Sequence, residues 1–322
     1  MNYSVSGLVG FIIAIMILST SAVVLRFWSR LLAARITLGW DDWLALAALP
    51  VSLAQMSVVL RGASSGLLGK HIPELTLPEL EWSLKLLVAA NLLFNVSISF
   101  SRLSALAFYS RVFTLPGANS KLWTWSFWIV TSLCIAWPLA MIPMNLFNCS
   151  PVRRLWQPWL PGHCMTQFEI YMISGATSVF VDLCVLILPL PKIYLLHMDL
   201  RKRFMVGLAF LAGYSVIFMS VGRMIQTAQV GSALDMDPIY TIIPMAYWIE
   251  AECGLSILAI CLPAIFQLAK RVYRSGLVSL LSSKDFSALE YEMNSGKSRH
   301  TDSKRQFSQT SHERIMTPTS DV

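Results

Sequence analysis

Several polar side chains sit inside stretches of this sequence that are otherwise apolar: Asn91, Asn95, Ser99, Arg102, Asp182, Arg223, Glu250 and Glu252. A charge in an apolar helix costs several kcal/mol unless it is paired, so each such residue marks a ligand pocket, a proton path or a pair that holds two helices in register. Asn91, Asn95, Ser99 and Arg102 recur at steps of four, four and three, which puts all four on one helical face, turned toward other helices. Arg102 and Asp182 both lie toward the inner ends of their runs and are placed to pair. Arg223 lies near the outer end of its own run. Glu250 and Glu252 are about 200° apart around a helix, so only one of them can share a face with Arg223. Glu252 is the expected partner, and the Arg223–Glu252 pair is expected to border the ligand cavity. No set for covalent or acid–base chemistry accompanies these groups: there is no HExxH, no GxSxG, and no pair of carboxylates with a nearby His. No catalytic role, metal site or cofactor is therefore expected.

The elements that hold these residues must be membrane helices. Of 322 residues, 55% are hydrophobic and 13% charged, against about a quarter charged in an ordinary soluble chain. A helix needs about 20 apolar residues to cross the hydrocarbon core. Seven stretches qualify: Gly7 to Leu25, Trp43 to Leu60, Ser83 to Phe108, Trp123 to Phe147, Phe168 to Leu196, Phe204 to Ala228, and Ile242 to Ala269. Pro50, Pro138, Pro189 and Pro263 fall inside them, and bundled membrane helices tolerate such prolines. The first run lacks the preceding basic residues of a secretory signal and is followed by Arg26 and Arg30, so it reads as a helix that stays. The expected fold class is an all-α membrane protein, a seven-transmembrane helix bundle.

Basic residues fix its orientation. Arg26, Arg30, Arg35, Arg111, Lys121, Lys192, Arg201 to Arg203, Lys270, Arg271, Arg274 and Lys284 gather on one side, against Arg61, Lys70, Arg153 and Arg154 on the other. Excess Lys and Arg mark the cytoplasmic face, so the N-terminus is expected outside and the C-terminus in the cytoplasm. The net charge of +7 is spread over these loops and does not form a nucleic-acid patch. On the outer side Asn2 and Asn148 open glycosylation sequons. Cys149 and Cys164 flank one outer loop and either close it as a disulfide or stay free thiols. The expected organisation is a short extracellular N-terminus over 1–6, the helix bundle over 7–269, an interfacial helix over 270–281 and a disordered, Ser/Thr-rich cytoplasmic tail over 282–322.

With those residues placed, the chain resembles the fungal rhodopsin-like integral membrane protein family, which includes Pth-type receptors and satratoxin-cluster-type membrane proteins. Asp41-Asp42-Trp43 opens the second run as in that family. Gly66, Gly69, Lys70 and His71 resemble its G-x-G-x-H element with one extra residue between the glycines. Ser101-Arg102 leading to Phe108-Tyr109-Ser110-Arg111, Phe147-Asn148-Cys149-Ser150-Pro151 with Trp156, and Asp182 with Pro189 follow in order. Gly213, Arg223, Asp237-Pro238, Trp248, Glu252 and Pro263 complete the series. The resemblance implies a seven-helix receptor architecture; some members are treated as G-protein-coupled receptors and others sit in secondary-metabolite clusters. Met1 to Ser6 alone precede the first run, so the cysteine-rich outer domain of some Pth-type receptors is not expected. Nor is retinal, because a Schiff base needs a lysine inside the bundle and the seventh run has none before Lys270.

Two functions follow as expectations. The leading one is a receptor-like protein of the plasma membrane that senses a small molecule between its helices and signals inward, with a heterotrimeric G protein as partner. The alternative is a membrane protein of a secondary-metabolite cluster, a transporter or an accessory to membrane-associated biosynthetic enzymes; the plasma membrane is the expected location, with an endomembrane as the alternative. A secondary transporter usually carries inverted repeats with matching broken helices, and none is visible in the sequence.

Overall fold

The computed structural model describes residues 5–32, 38–113, 121–195, 200–270 and 272–273. The chain divides into two compact units, Met1–Leu268 and Ala269–Val322; of the second, only 269–270 and 272–273 are described. The expected interfacial helix beyond Tyr273, the tail and the Asn2 sequon thus lie outside the described residues. The first unit is helical. Its elements are α1 (Val5–Leu31), α2 (Trp40–Ser64), α3 (Leu77–Phe113), α4 (Lys121–Leu146), α5 (Gln167–Ile187), α6 (Leu190–Leu195), α7 (Leu200–Val230) and the short α8 (Ala233–Met236). They are followed by α9 (Pro238–Lys270).

Six helical stretches among the described residues are long and apolar enough to cross a bilayer: Val5–Leu31, Trp40–Ser64, Leu77–Val112, Lys121–Leu146, Gln167–Lys192 and Pro238–Lys270. The expected sixth segment lies within α7, a helix of 31 residues. Most helices run beyond the apolar stretches that announce them, because polar residues cap and extend them. Glu79 accepts hydrogen bonds from the Thr76 amide at 2.9 Å and hydroxyl at 2.6 Å, which starts α3 six residues before Ser83. Thr166 and Glu169 form the reciprocal cap of α5, each side chain accepting from the other's amide. One expectation is corrected. The stretch Phe168 to Leu196 is not one helix but α5 and α6, separated at Leu188-Pro189. Proline offers no amide to the helical ladder, so the hydrogen bonding is interrupted there although Leu188 itself keeps helical backbone and donates to the Cys184 carbonyl.

The bundle is apolar on its outside as well as in its core. Large apolar side chains such as Leu139, Phe180, Leu211 and Phe218 face outward, as lipid requires. Its interior holds buried serines (Ser52, Ser97, Ser101, Ser104, Ser178 and Ser220) that let helix backbones approach closely. Exposed tryptophans gather toward the two ends, with Trp28, Trp40, Trp43, Trp125 and Trp128 at one and Trp82 and Trp159 at the other, the distribution of an interfacial aromatic belt. Half of the most apolar window of α9 is buried but only 22% of that of α4, so α9 is central and α4 peripheral.

At the end opposite the α1–α2 connection, strands β1 (Cys149–Ser150) and β2 (His163–Cys164) pair antiparallel, with Cys149 opposite Cys164. The two cysteines are joined as a disulfide. The segment before α3 docks on the start of α9. Gly69 has φ +92°, backbone that favours glycine, and donates its amide to the Ile239 carbonyl at 3.3 Å. His71 Nδ1 then lies 2.6 Å from Asp237 Oδ2, and its ring stacks on Tyr240.

Close packing of α7 on α9 depends on Gly222, where an added Cβ would enter the Trp248 ring. Gly222→Val is expected to destabilise the detergent-solubilised protein by roughly 1–3 kcal/mol, as overpacking does. Gly10→Val, where a Cβ would meet nothing within 4 Å, is expected to stay within about 0.5 kcal/mol. Thermal unfolding of the two variants side by side checks this.

Candidate functional site

Charge pairing ties the helices together at two levels. At the first, the N-terminus of α2 presents Asp41 and Asp42, both 1% exposed. Arg26 of α1 spans them, with Nη2 2.6 Å from Asp41 Oδ2 and Nε 2.9 Å from Asp42 Oδ1. Arg30, one turn on, repeats the contacts at 3.1 Å to each. Arg111 of α3 closes the cluster, 3.0 Å from Asp41 and 3.4 Å from Asp42. Arg26 also donates to the Ile260 carbonyl, and Ser29 donates to that of Ala264 at 2.9 Å. The end of α1, the start of α2, the end of α3 and the last turns of α9 therefore meet in one latch. Arg26, Arg30 and Arg111 are thus helical, paired residues rather than free loop charges, which corrects their reading as connecting-segment charges. The apolar run before Arg26 simply continues as helix to Leu31.

The second level lies mid-bundle. Arg102 of α3 donates from Nε to Asp182 Oδ1 of α5 at 2.8 Å and from Nη2 to Ser178 Oγ at 2.6 Å. Its guanidinium covers the Trp137 ring of α4, 4.5 Å from the centroid. Arg223 of α7 pairs with Glu252 of α9, Nε to Oε2 at 2.7 Å, and covers the Phe94 ring. Ser220 joins the two pairs: its hydroxyl is 3.1 Å from Asp182 Oδ2 and 2.8 Å from Glu252 Oε1. One hydroxyl proton serves one carboxylate at a time, so Ser220 can pass its bond between them. Two cations and two carboxylates, all at least 93% buried, thus form one neutral network across α3, α5, α7 and α9.

Glu250 faces elsewhere. A step of about 100° per residue turns it from α7 toward α2, where Gln55 donates to its Oε1 at 2.8 Å. Both side chains are fully buried. Glu250 Oε2 and Gln55 Oε1 have no hydrogen-bond partner, and among the described residues no ion pair involves Glu250. Asn91 donates to the Tyr171 hydroxyl at 2.8 Å. Asn95 and Ser99 bond back to Asn91 and Asn95 carbonyls along the same face.

Three cavities surround these groups. One, of about 620 Å³, lies at the end away from the latch, lined by Gln55, Asn91, Phe94, Tyr171 and Glu250 among mostly apolar residues. A second, of about 690 Å³, lies toward the latch, lined by Arg102, Asp182, Ser256 and Pro263. A third, of about 540 Å³ near the disulfide loop, takes in Asn145 and Asn148. Arg223 and Glu252 line none of the three. The expectation that they border the ligand cavity is corrected: their mutual pairing seals them, and Glu250 holds the cavity wall. Asn148 has its Oδ1 buried, and Trp248 packs on Gly222. Among the described residues no group of three or more His, Cys, Asp or Glu is placed to hold a metal.

The sequence reading missed the role of Asp41 and Asp42, and missed Gln55, Ser178 and Ser220 altogether. The signals existed. Arg26 and Arg30 are one turn apart and face a pair of acids across a short connection; Ser178 is one turn from Asp182, and Ser220 is three residues from Arg223.

Apolar helices with outward-facing lipid surfaces and a buried ion network define a multi-pass α-helical membrane bundle. Residues 25–271 match the model of the fungal rhodopsin domain, and the chain belongs to that family. It is 25% identical over 79% of its length to the polyenoic acids biosynthesis gene cluster protein Ba17b of Metarhizium anisopliae, covering 71% of that protein. It is 28% identical over 61% of its length to a SAT4 family membrane protein of Emericella nidulans, covering 49% of it. It is also 24% identical over 61% of its length to Receptor GIN3 of Arthrobotrys oligospora, covering 46% of it. The chain thus spans about half the length of the last two. No solved structure matches.

Arg223→Ala or Glu252→Ala alone is expected to cost roughly 3–5 kcal/mol, because each strands a buried charge. The double variant should cost less than the sum of the two by roughly 0.5–3 kcal/mol. A double-mutant cycle on unfolding of the solubilised protein checks the coupling; strict additivity would refute the pair.

Proposed function

We propose that this chain is a receptor-like, seven-helix membrane protein that senses a small molecule and signals to the cytoplasm. In this reading α7 is the remaining span, the N-terminus lies outside, and the latch end faces the cytoplasm. The Lys/Arg excess beside that end supports the orientation. One observation carries the proposal: the cavity wall and the ion network share a helix. Glu250 lines the outer-half cavity and Glu252, two residues on, anchors the network. A ligand that binds one arrangement of α9 better than another would repopulate the positions of α7, α5 and α3, which is all that signalling requires. Catalysis forms no part of the reading. Retinal forms none either: of the lysines in the expected spans, Lys85 is 45% exposed and pairs with Glu81 at 2.6 Å, and Lys192 lies over the Trp123 ring. A heterotrimeric G protein at the latch end, with the plasma membrane as location, completes it.

A second reading draws on two specific observations. Cavities lie on both sides of the network, as in a protein that opens alternately to either face, and one relative is named for a biosynthesis gene cluster. In that reading the chain is a transporter or an accessory to membrane-bound biosynthetic enzymes.

Both parts are testable. A reporter fused after Val322 should be cytoplasmic; a tail reporter outside the cell would overturn the orientation. Deleting the gene in its host should abolish a transcriptional response to an external cue while leaving intracellular metabolite levels unchanged. Accumulation of a metabolite inside cells, with transcription intact, would favour the transporter.

A further inference from the structure

Each buried carboxylate of the latch and the network has an arginine. Asp41 and Asp42 have three, Asp182 has Arg102, and Glu252 has Arg223. Glu250, fully buried in the same bundle, has the neutral amide of Gln55 instead. Its second oxygen and the Gln55 carbonyl oxygen are unpartnered, and both residues line the outer-half cavity. Two unpartnered acceptors with no cation present the complement of a group with several donors and a positive charge. The rest of the lining sets the shape of what carries that group. Val58, Val59, Leu86, Leu87, Phe94 and Ile249 are apolar and would cover a hydrocarbon or aromatic body.

We infer that the cavity between α2, α3 and α9 binds an apolar molecule bearing a primary amine, whose ammonium pairs with Glu250 and donates to Gln55. The inference rests on the reading of this cavity as a ligand site and specifies its chemistry. A buried carboxylate with one hydrogen bond is a costly arrangement, and an ammonium in contact relieves it. A hydroxyl supplies a single donor and no charge. A carboxylate on the ligand would be repelled. The ligand therefore supplies the cation that arginine supplies elsewhere in the bundle, at a carboxylate two residues from the network.

The test uses the full chain in lipid nanodiscs at neutral pH and a matched set of probes: 4-phenylbutylamine, 4-phenylbutan-1-ol and 4-phenylbutyrate. The amine should raise the melting temperature at a concentration at least about tenfold below that needed for the alcohol, as a charge-assisted hydrogen bond demands, and the acid should have no effect. Glu250→Gln should erase the preference for the amine and leave the weak effect of the alcohol. Should that variant fail to fold, Val58→Phe, which adds bulk to the cavity wall and keeps the Glu250 carboxylate, must abolish the amine effect. Equal stabilisation by amine and alcohol, or an amine effect that survives either variant, would overturn the inference. Binding is read on purified protein and signalling in the host. Amine-specific binding without signalling would sink the receptor reading alone, and a cue response without amine preference would sink the inference alone.

Discussion

A charge removed from water must be neutralised where it lies, and this bundle is organised by that constraint. Lipid tails give helices no hydrophobic reason to associate, so specificity has to come from packing and from polar contacts. Arg102, Asp182, Ser220, Arg223 and Glu252 provide it. Losing any one of α3, α5, α7 or α9 would leave a buried charge or hydroxyl without its partner. The latch does the same for α1, α2 and α3 through Asp41 and Asp42. Such ionic interiors bring little net stability against an apolar alternative. What they fix is register: one arrangement pairs every charge of the network, and a slipped one strands at least one of them.

That same stringency makes the network able to report. Ser220 stands between two carboxylates that belong to different pairs, so a small displacement of α7 against α9 exchanges one hydrogen bond for the other instead of merely stretching both. The cavity away from the latch meets α9 at Glu250 and the cavity beside the latch meets α3 and α5 at Arg102 and Asp182. The network therefore borders the cavity beside the latch directly and is linked to the other through α9, where Glu250 lies two residues from Glu252.

Much of this was legible in the sequence because bilayer chemistry is restrictive. Long apolar runs can only be spanning helices, and a charge inside one must face inward, so Arg102, Asp182, Arg223 and Glu252 declared themselves by type. The 100° step separated Glu250 from Glu252 correctly. What could not be read was which helices are neighbours. That information decides that Gln55 meets Glu250 across 195 residues of sequence, and that the acids of the Asp41-Asp42 motif serve arginines on two other helices. Serine was also silent, because its usual service in a membrane helix is a bond to its own backbone, as Ser19 and Ser57 show; only the fold distinguishes Ser178 and Ser220 from those. The break at Leu188-Pro189 was missed for a related reason. Pro50 and Pro138 stay within continuous helices, so a proline marks a helix end only in some contexts.

The central claim is that the two ion pairs act as one unit through Ser220. The direct measurement is the coupling between Asp182→Asn and Glu252→Gln, residues of different pairs, in unfolding of the full chain. A single network predicts non-additivity of roughly 0.5–3 kcal/mol, reduced when the cycle is repeated on a Ser220→Ala background, with the remainder carried by Ser178, whose hydroxyl lies 3.4 Å from Glu252 Oε1. Effects that add within about 0.5 kcal/mol, with Ser220 present, would mean two independent pairs and would contradict the account.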